Sequence, residues 1–340
     1  MDSPFTYARA GIDIAQISKI HGKIEKILSK TFQTRKGKLG HVLDVRQHYA
    51  GLIDLGNEYA LAAHADGVGT KVLVAEACHR YDTIGIDCVA MNVNDIICLG
   101  AEPIALVNYL ALERARPRLV EEVMLGLQRG AREAGVAIVS GETAIMPDVV
   151  RGFDLAATVI GIVKKKKIIT GENIQVGDII LGLRSSGIHS NGLTLARKLL
   201  LTPKIEAKVA RELLRPTRIY ARAILRLLKF DLEIHGLAHI TGGGYSKLKR
   251  IGLKANAGFL LDRLPTPQGI FRKIQNKGEI SDREMYRTFN MGTGFVIICP
   301  KRAVRRVKQL VPGITEVGYV TNSRAVNISL RDHEFEVENW

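Results

Sequence analysis

The heptapeptide Ala65-Asp66-Gly67-Val68-Gly69-Thr70-Lys71 decides how the rest of the chain is read. Before it runs Tyr59-Ala60-Leu61-Ala62-Ala63-His64, short and mostly apolar, which reads as a buried strand ending in a glycine turn. One carboxylate, Asp66, stands at the strand's end. Gly67 and Gly69 let the backbone turn tightly and offer N–H groups to an anion, while Thr70 and Lys71 add a hydroxyl and a cation. Such a set suits a metal-bound polyphosphate; the plainer alternative is a tight strand–helix turn.

Working outward, Ile86, Val89, Ala90, Val93, Ile96 and Ile97 recur at helical spacing. Asn92 and Asp95 fall three apart on the face away from that stripe. Gly100 marks the helix stop, with Pro103 beyond it. An apolar strand at 136–139 precedes Gly141-Glu142-Thr143-Ala144-Ile145-Met146-Pro147. Asp66, Asp95 and Glu142 are therefore candidate Mg²⁺ ligands, since Mg²⁺ takes few carboxylates and completes its shell with phosphate oxygens and water. The alternative is three solvated acids.

With 340 residues the chain has room for two domains. Strand and helix patterns alternate from residue 59 onward: strands at 59–65, 104–112, 136–139 and 155–163, helices at 86–99 and 118–134. The lysine run 164–167, read as a solvated turn, marks a boundary near residue 165, giving domains 1–165 and 166–340. The second half restarts with strand 178–183 and continues with helices at 193–201, 217–228 and 301–310 and strands at 237–240, 257–261 and 294–299. Each half mixes strands and helices, so the expected class is α/β (α+β) in two domains. A basic helix is expected over 17–28.

Net charge is +15 and the pI about 9.7, which favours anionic partners. The basic residues are scattered, aromatics make up only 6%, and no nucleic-acid-binding signature accompanies them, so a nucleic-acid-binding protein is disfavoured. No apolar run reaches the ~18 residues of a membrane span. Met1-Asp2-Ser3-Pro4 lacks the start of a secretion signal, and Cys78, Cys88, Cys98 and Cys299 show no metal-ligand spacing; a reducing cytoplasm is expected.

Two loops of the second half carry further chemistry. Ser185-Ser186-Gly187-Ile188-His189-Ser190-Asn191-Gly192 sets hydroxyls, an amide and an imidazole at a strand–helix junction, where phosphate is favoured. His189 titrates near neutrality and suits an acid, base or phosphate ligand; the alternative is a packed histidine in a capping loop. Thr241-Gly242-Gly243-Gly244 is a second candidate cradle. Walker A, dinucleotide GxGxxG, nucleophile-elbow and HExxH patterns are all missing.

Taken together, 65–71, Thr83-Ile-Gly-Ile-Asp87, Met91-Asn-Val-Asn-Asp95, Gly100-Ala-Glu-Pro103, 141–147, 185–192, Pro216-Thr-Arg-Ile-Tyr220, 236–244 and Glu284-Met-Tyr-Arg-Thr-Phe-Asn-Met-Gly292 resemble the phosphoribosylformylglycinamidine cyclo-ligase family, also called aminoimidazole ribonucleotide synthetase. The likeness covers nearly the whole chain, in order. It implies a homodimer whose N-terminal sheets pair across the dimer, with ATP and Mg²⁺ bound beside them. By position it implies Asp66, Asp95 and Glu142 as metal ligands. Gly67, Gly69, Thr70, Lys71 and Asn92 join these three around ATP, with Lys71 on phosphate. Ser186, His189, Ser190, Asn191, Thr241, Gly242 and Gly243 would face the anionic ribonucleotide, with His189 and Lys71 as the catalytic pair. The implied activity is ATP-dependent ring closure in purine biosynthesis; a related enzyme such as thiamine-monophosphate kinase is the alternative. The stretch 40–51 departs from the family's glycine-rich loop, and Glu25 stands where a lysine is expected.

Overall fold

The computed structural model describes residues 14–45, 48–201 and 206–337. The reading of Met1 to Pro4 lies outside them. Two sheets form. The first has six strands in the order Val42–Leu43, Gly51–Asp54, Tyr59–Gly67, Phe153–Lys164, Glu102–Leu112 and Ala137–Ile145. Only the last pair runs parallel, and the helix Pro117–Ala134 makes its crossover. The second has seven strands in the order Glu334–Glu336, Val326–Ser329, Gly258–Leu261, Thr315–Thr321, Ile179–Arg184, Thr293–Cys299 and Gly236–His239. The mixed α/β class agrees with the sequence.

The helix Ile84–Ile96 is the centre of the molecule. Its apolar stripe lies on the first sheet, where each buried Ile or Val contributes roughly 2 kcal/mol. Gly85 lets it cross Pro117–Ala134 with backbones almost touching: a Cβ there would lie 2.1 Å from the Leu127 nitrogen. The helix ends in a 3-10 turn, Ile97–Leu99, and Gly100 stops it at φ +78°.

Its polar side is buried too, because the second half covers it. Asn94 Nδ2 donates to the Arg218 carbonyl at 2.8 Å, and the Tyr220 amide donates to Asn94 Oδ1 at 2.9 Å. Asp87, Asn92, Asn94 and Asp95 are all buried. The face that the 3.6-residue period leaves polar is thus the seam between the halves.

One expectation shifts. The strand expected at 136–139 extends through the glutamate motif as Ala137–Ile145. Gly141 permits this close pairing, since a Cβ there would meet Asn108 Oδ1 at 2.5 Å. The lysine run makes the turn expected of it: Lys164 ends the strand Phe153–Lys164 and Lys165–Lys167 form a short 3-10 turn, with Lys164 bound to Glu58 and Lys165 to Asp54. The outer strand Ala137–Ile145 is exposed along nearly its whole length, with Ile138, Val139 and Ile145 open beside Tyr109 and Ile104 of its neighbour. The helix Ile14–Leu28 likewise leaves Ile20, Ile24, Ile27 and Leu28 uncovered. No described helix is long and apolar enough to cross a membrane.

Candidate active site

Strand alternation places His64 and Asp66, two residues apart, on one side of Tyr59–Gly67. Asp95, from the central helix, meets them: ligand atoms of His64, Asp66 and Asp95 all lie within 4.8 Å of one another. Asn92 locks the strand to the helix. Its Oδ1 accepts from the Asp66 amide at 3.2 Å, and its Nδ2 donates to the carbonyls of Asp66 and Cys88. Asn92 thus acts as a clamp that fixes where Asp66 stands.

From the second half, His239 Nδ1 sits 2.7 Å from Asp95 Oδ1. Its Nε2 lies 3.3 Å from Asn94 Nδ2, a pure donor, so Nδ1 carries the proton and donates it to Asp95. Burial pushes the Asp95 carboxyl up. The His239 hydrogen bond and the electrostatic pull of His239, His64 and Lys247 outweigh it and hold Asp95 below its usual range. Asp66 goes the other way, raised by burial and then by Asp95. Two carboxylates this close strain each other, which is the condition a cation relieves. Among the described residues the buried His64 Nε2 finds no hydrogen-bond partner, though Asp95 Oδ2 lies 3.6 Å from it. Two carboxylates fit Mg²⁺, with the remaining shell left to phosphate and water.

Beside the cluster opens a pocket of about 330 Å³, lined by Phe32, Val42, Val45, His48, Tyr49 and His64 among others. A wider groove of about 1010 Å³ opens near the start of the same strand and the lysine turn, and none of the expected site residues line it. Thr241, Gly242 and Gly243 begin two residues past His239, so the glycine run lies next to the Asp95 contact.

Other expected residues stand elsewhere. Glu142 does not join the cluster; it lies exposed on the outer strand, where its own carboxylate accepts from the Thr143 amide. Lys71 is fully buried. Its ammonium pairs with Asp87 at 2.7 Å and donates to the Arg215 carbonyl at 2.7 Å, so the expected phosphate contact is not the one it makes. Thr70 Oγ1 meets Thr194 Oγ1 at 3.0 Å across the seam. Ser190 lies 3.4 Å from the Thr217 hydroxyl, Asn191 Nδ2 approaches Met91 Sδ, and Ser186 donates to the Pro216 carbonyl.

His189 is fully buried, not open to a ligand. Its backbone adopts φ +62°, and its ring is packed inside. There Nε2 accepts from the Ser186 amide at 3.2 Å and the Arg218 amide lies 3.5 Å away. The loop is braced by the 284–292 motif: Asn290 Nδ2 donates to the Gly187 carbonyl, and the Ser185 amide donates to the Gly292 carbonyl. Burial, then His239, Lys71 and Arg218, push the His189 imidazole well below its usual range, so it is neutral.

His48 is pushed down to about 4, chiefly by burial and then by Lys254 and Arg250, against the pull of Asp95. Both histidines have folded values below the unfolded one. Between those values the unfolded chain binds more protons, so stability is present above pH 6.5 and lost as pH falls. For His48 the loss between pH 6.5 and 5 is expected to be about 2 kcal/mol. Urea unfolding of wild type and His48→Phe at the two pH values measures it; an unchanged slope in the variant would remove His48 from the account.

Two family models match the chain: AIR synthase related protein, N-terminal domain, over residues 47–163, and its C-terminal domain over residues 175–331. A protein of Pyrococcus furiosus named phosphoribosylformylglycinamidine cyclo-ligase is 55% identical over 313 residues, 90% of this chain and 91% of its own. One of Methanocaldococcus jannaschii with the same name is 46% identical over 338 residues, 95% and 94% of the two chains. Among solved structures, AaThiL complexed with AMPPCP and TMP superposes with a TM-score of 0.66 at 15% identity, covering 96% of this chain and 98% of that one. The hydrogenase maturation protein HypE in complex with ATP gives 0.64 at 20% identity, with 84% and 86% covered. These two show the shared fold. The motifs, the two-sheet architecture and the near full-length identities together make this chain a member of the phosphoribosylformylglycinamidine cyclo-ligase family.

Proposed function

We propose that this protein catalyses the ATP-dependent closure of formylglycinamidine ribonucleotide to aminoimidazole ribonucleotide, releasing ADP and phosphate in purine biosynthesis. The observation that carries the reading is the His64, Asp66 and Asp95 cluster at the seam, completed by His239 from the second half. An amide oxygen is a poor leaving group and phosphate a good one. The formyl amide oxygen attacks the γ-phosphorus and ADP leaves with the electron pair. An amidine nitrogen then attacks the activated carbon, and phosphate departs as the nitrogen loses its proton.

The chain's part is positioning and charge placement. Asp66 and Asp95 would hold Mg²⁺, which when bound offsets charge on the phosphates. The Gly67 amide donates to Asp66 Oδ1 at 2.8 Å and so helps hold that carboxylate in place. Asn92 and His239 fix the carboxylates, and the buried His189 fixes the 185–192 loop from inside, so its substrate role is one of shape. Thr241, Gly242 and Gly243, next to the His239 contact, would line the ribonucleotide side. Purified protein with substrate, ATP and Mg²⁺ should form aminoimidazole ribonucleotide and ADP in equal amounts. ADP release with thiamine monophosphate instead would favour the kinase of the same fold.

The proposal includes the division into 1–165 and 166–340, a cytoplasmic location suited to four free cysteines, and a homodimer through the first sheet. The exposed strand Ala137–Ile145 and its open apolar side chains support the dimer, and Glu142 would then lie at its edge. Val139→Glu puts a charge in that surface and should shift the mass by light scattering from dimer to monomer at micromolar concentration. A wild-type monomer would end the proposal.

A further inference from the structure

A triphosphate set beside two carboxylates needs positive charge beyond one divalent ion. The lysine of the glycine turn does not supply it, because Lys71 is closed into the pair with Asp87. The candidate is Lys247, on the other half of the molecule. It opens the helix Lys247–Gly252, directly after the turn Gly244–Ser246 that continues the glycine run. Its ammonium stands 5.7 Å from the centre of the Tyr49 ring, an arrangement that holds a cation without neutralising it. Among the described residues no carboxylate lies within ion-pair distance of it, yet its charge acts on both Asp95 and Asp66. It is half-buried; burial, then Arg250 three residues on along the helix, pull its ammonium below the usual lysine range, while Asp95 and Asp66 pull it back.

We propose that Lys247 is the phosphate-contacting cation of this site, its ammonium taking the non-bridging oxygens of the γ-phosphoryl group as that group passes from ATP to the formyl amide oxygen. In that step the bond from the γ-phosphorus to the bridging oxygen breaks, and its electron pair leaves on ADP. The bond to the amide oxygen forms, and the amide N–H proton is released. Charge on the moving group is met by the Lys247 ammonium from one half, while Asp66 and Asp95 of the other would hold a Mg²⁺ that offsets phosphate charge when bound. Phosphate binding would therefore pull the helix Lys247–Gly252 and the strand Tyr59–Gly67 toward one ligand.

This assignment rests on the phosphoryl-transfer reading above, and the test separates the two. The affinities of ADP and of a non-hydrolysable ATP analogue are measured calorimetrically with Mg²⁺ for wild type, Lys247→Met and Lys247→Arg. Methionine keeps the stem over Tyr49 and removes the charge. The tighter binding conferred by the γ-phosphate should shrink by about tenfold or more in Lys247→Met, with ADP affinity within about twofold of wild type, and return in part in Lys247→Arg. kcat for ring closure should fall by about a hundredfold in Lys247→Met. Equal weakening of both nucleotides, or weakening of neither, overturns the assignment. Should Lys247→Met fail to fold, Lys247→Arg and Lys247→Gln carry the same comparison. A wild-type protein that forms no aminoimidazole ribonucleotide, while Lys247→Met still loses the γ-phosphate increment, would overturn the proposed reaction and leave Lys247 in place.

Discussion

Asp95→Asn is expected to lower kcat/KM by about two to three orders of magnitude, the order of 2–5 kcal/mol lost when one member of a buried charged pair is removed. The fold should survive. The carboxamide that replaces the carboxylate keeps an oxygen to accept the proton that His239 Nδ1 now gives to Asp95, so the seam contact remains in shape. What disappears is the charge opposite Asp66. Asp66→Asn should behave differently in stability: its carboxyl is raised by burial and by Asp95, so without bound metal the exchange relieves repulsion. Its melting temperature should match or exceed that of wild type, while Mg²⁺-dependent binding of an ATP analogue falls by a similar few kcal/mol. Thermal melts and calorimetric titration measure both. Undiminished binding in the two variants would place the nucleotide elsewhere and remove the phosphoryl-transfer site from the mechanism.

The contrast between Asp66 and Asp95 also shows what the sequence can and cannot reveal. Both carboxylates, the strand that carries one and the helix that carries the other were legible, because hydrophobic period and glycine stops are local. So was the helix end at Gly100. The depth of Asp95 was not legible, since its burial comes from strand Gly236–His239, more than a hundred residues away. His64 could have been found: it shares a strand face with Asp66 at the two-residue period. His239 stood two residues before a glycine run already singled out. Glu142 was read on a loop because Gly-Glu-Thr looks like one, whereas it stands on the outer strand, with Gly141 letting Asn108 approach. His189 was read from the polarity of its neighbours, but its ring is buried, with Nε2 accepting from the Ser186 amide of its own loop.

Lys71 is the sharpest of these cases, and its variant is expected to show the largest stability effect in the chain. The family resemblance implied a phosphate contact for it, in line with a cation beside the glycine turn. The structure gives it a different partner, sixteen residues on. Lys71 and Asp87 are both fully shielded from water and 2.7 Å apart. The pair also fastens the second half: Asp87 Oδ1 accepts from the Thr217 amide at 2.7 Å and from its hydroxyl at 2.6 Å, while Lys71 donates to the Arg215 carbonyl. Burial pulls the Lys71 ammonium below its usual range and Asp87 opposes it. Lys71→Met therefore leaves Asp87 charged, dry and without its cation, which is expected to cost about 3–5 kcal/mol. Adding Asp87→Asn removes the stranded charge and keeps an oxygen for Thr217, so the double variant should recover a large part of that loss. Urea unfolding of wild type, both single variants and the double variant closes the cycle. A phosphate-contacting lysine predicts the reverse pattern: Lys71→Met would unfold like wild type and lose only nucleotide affinity, and the double variant would recover nothing.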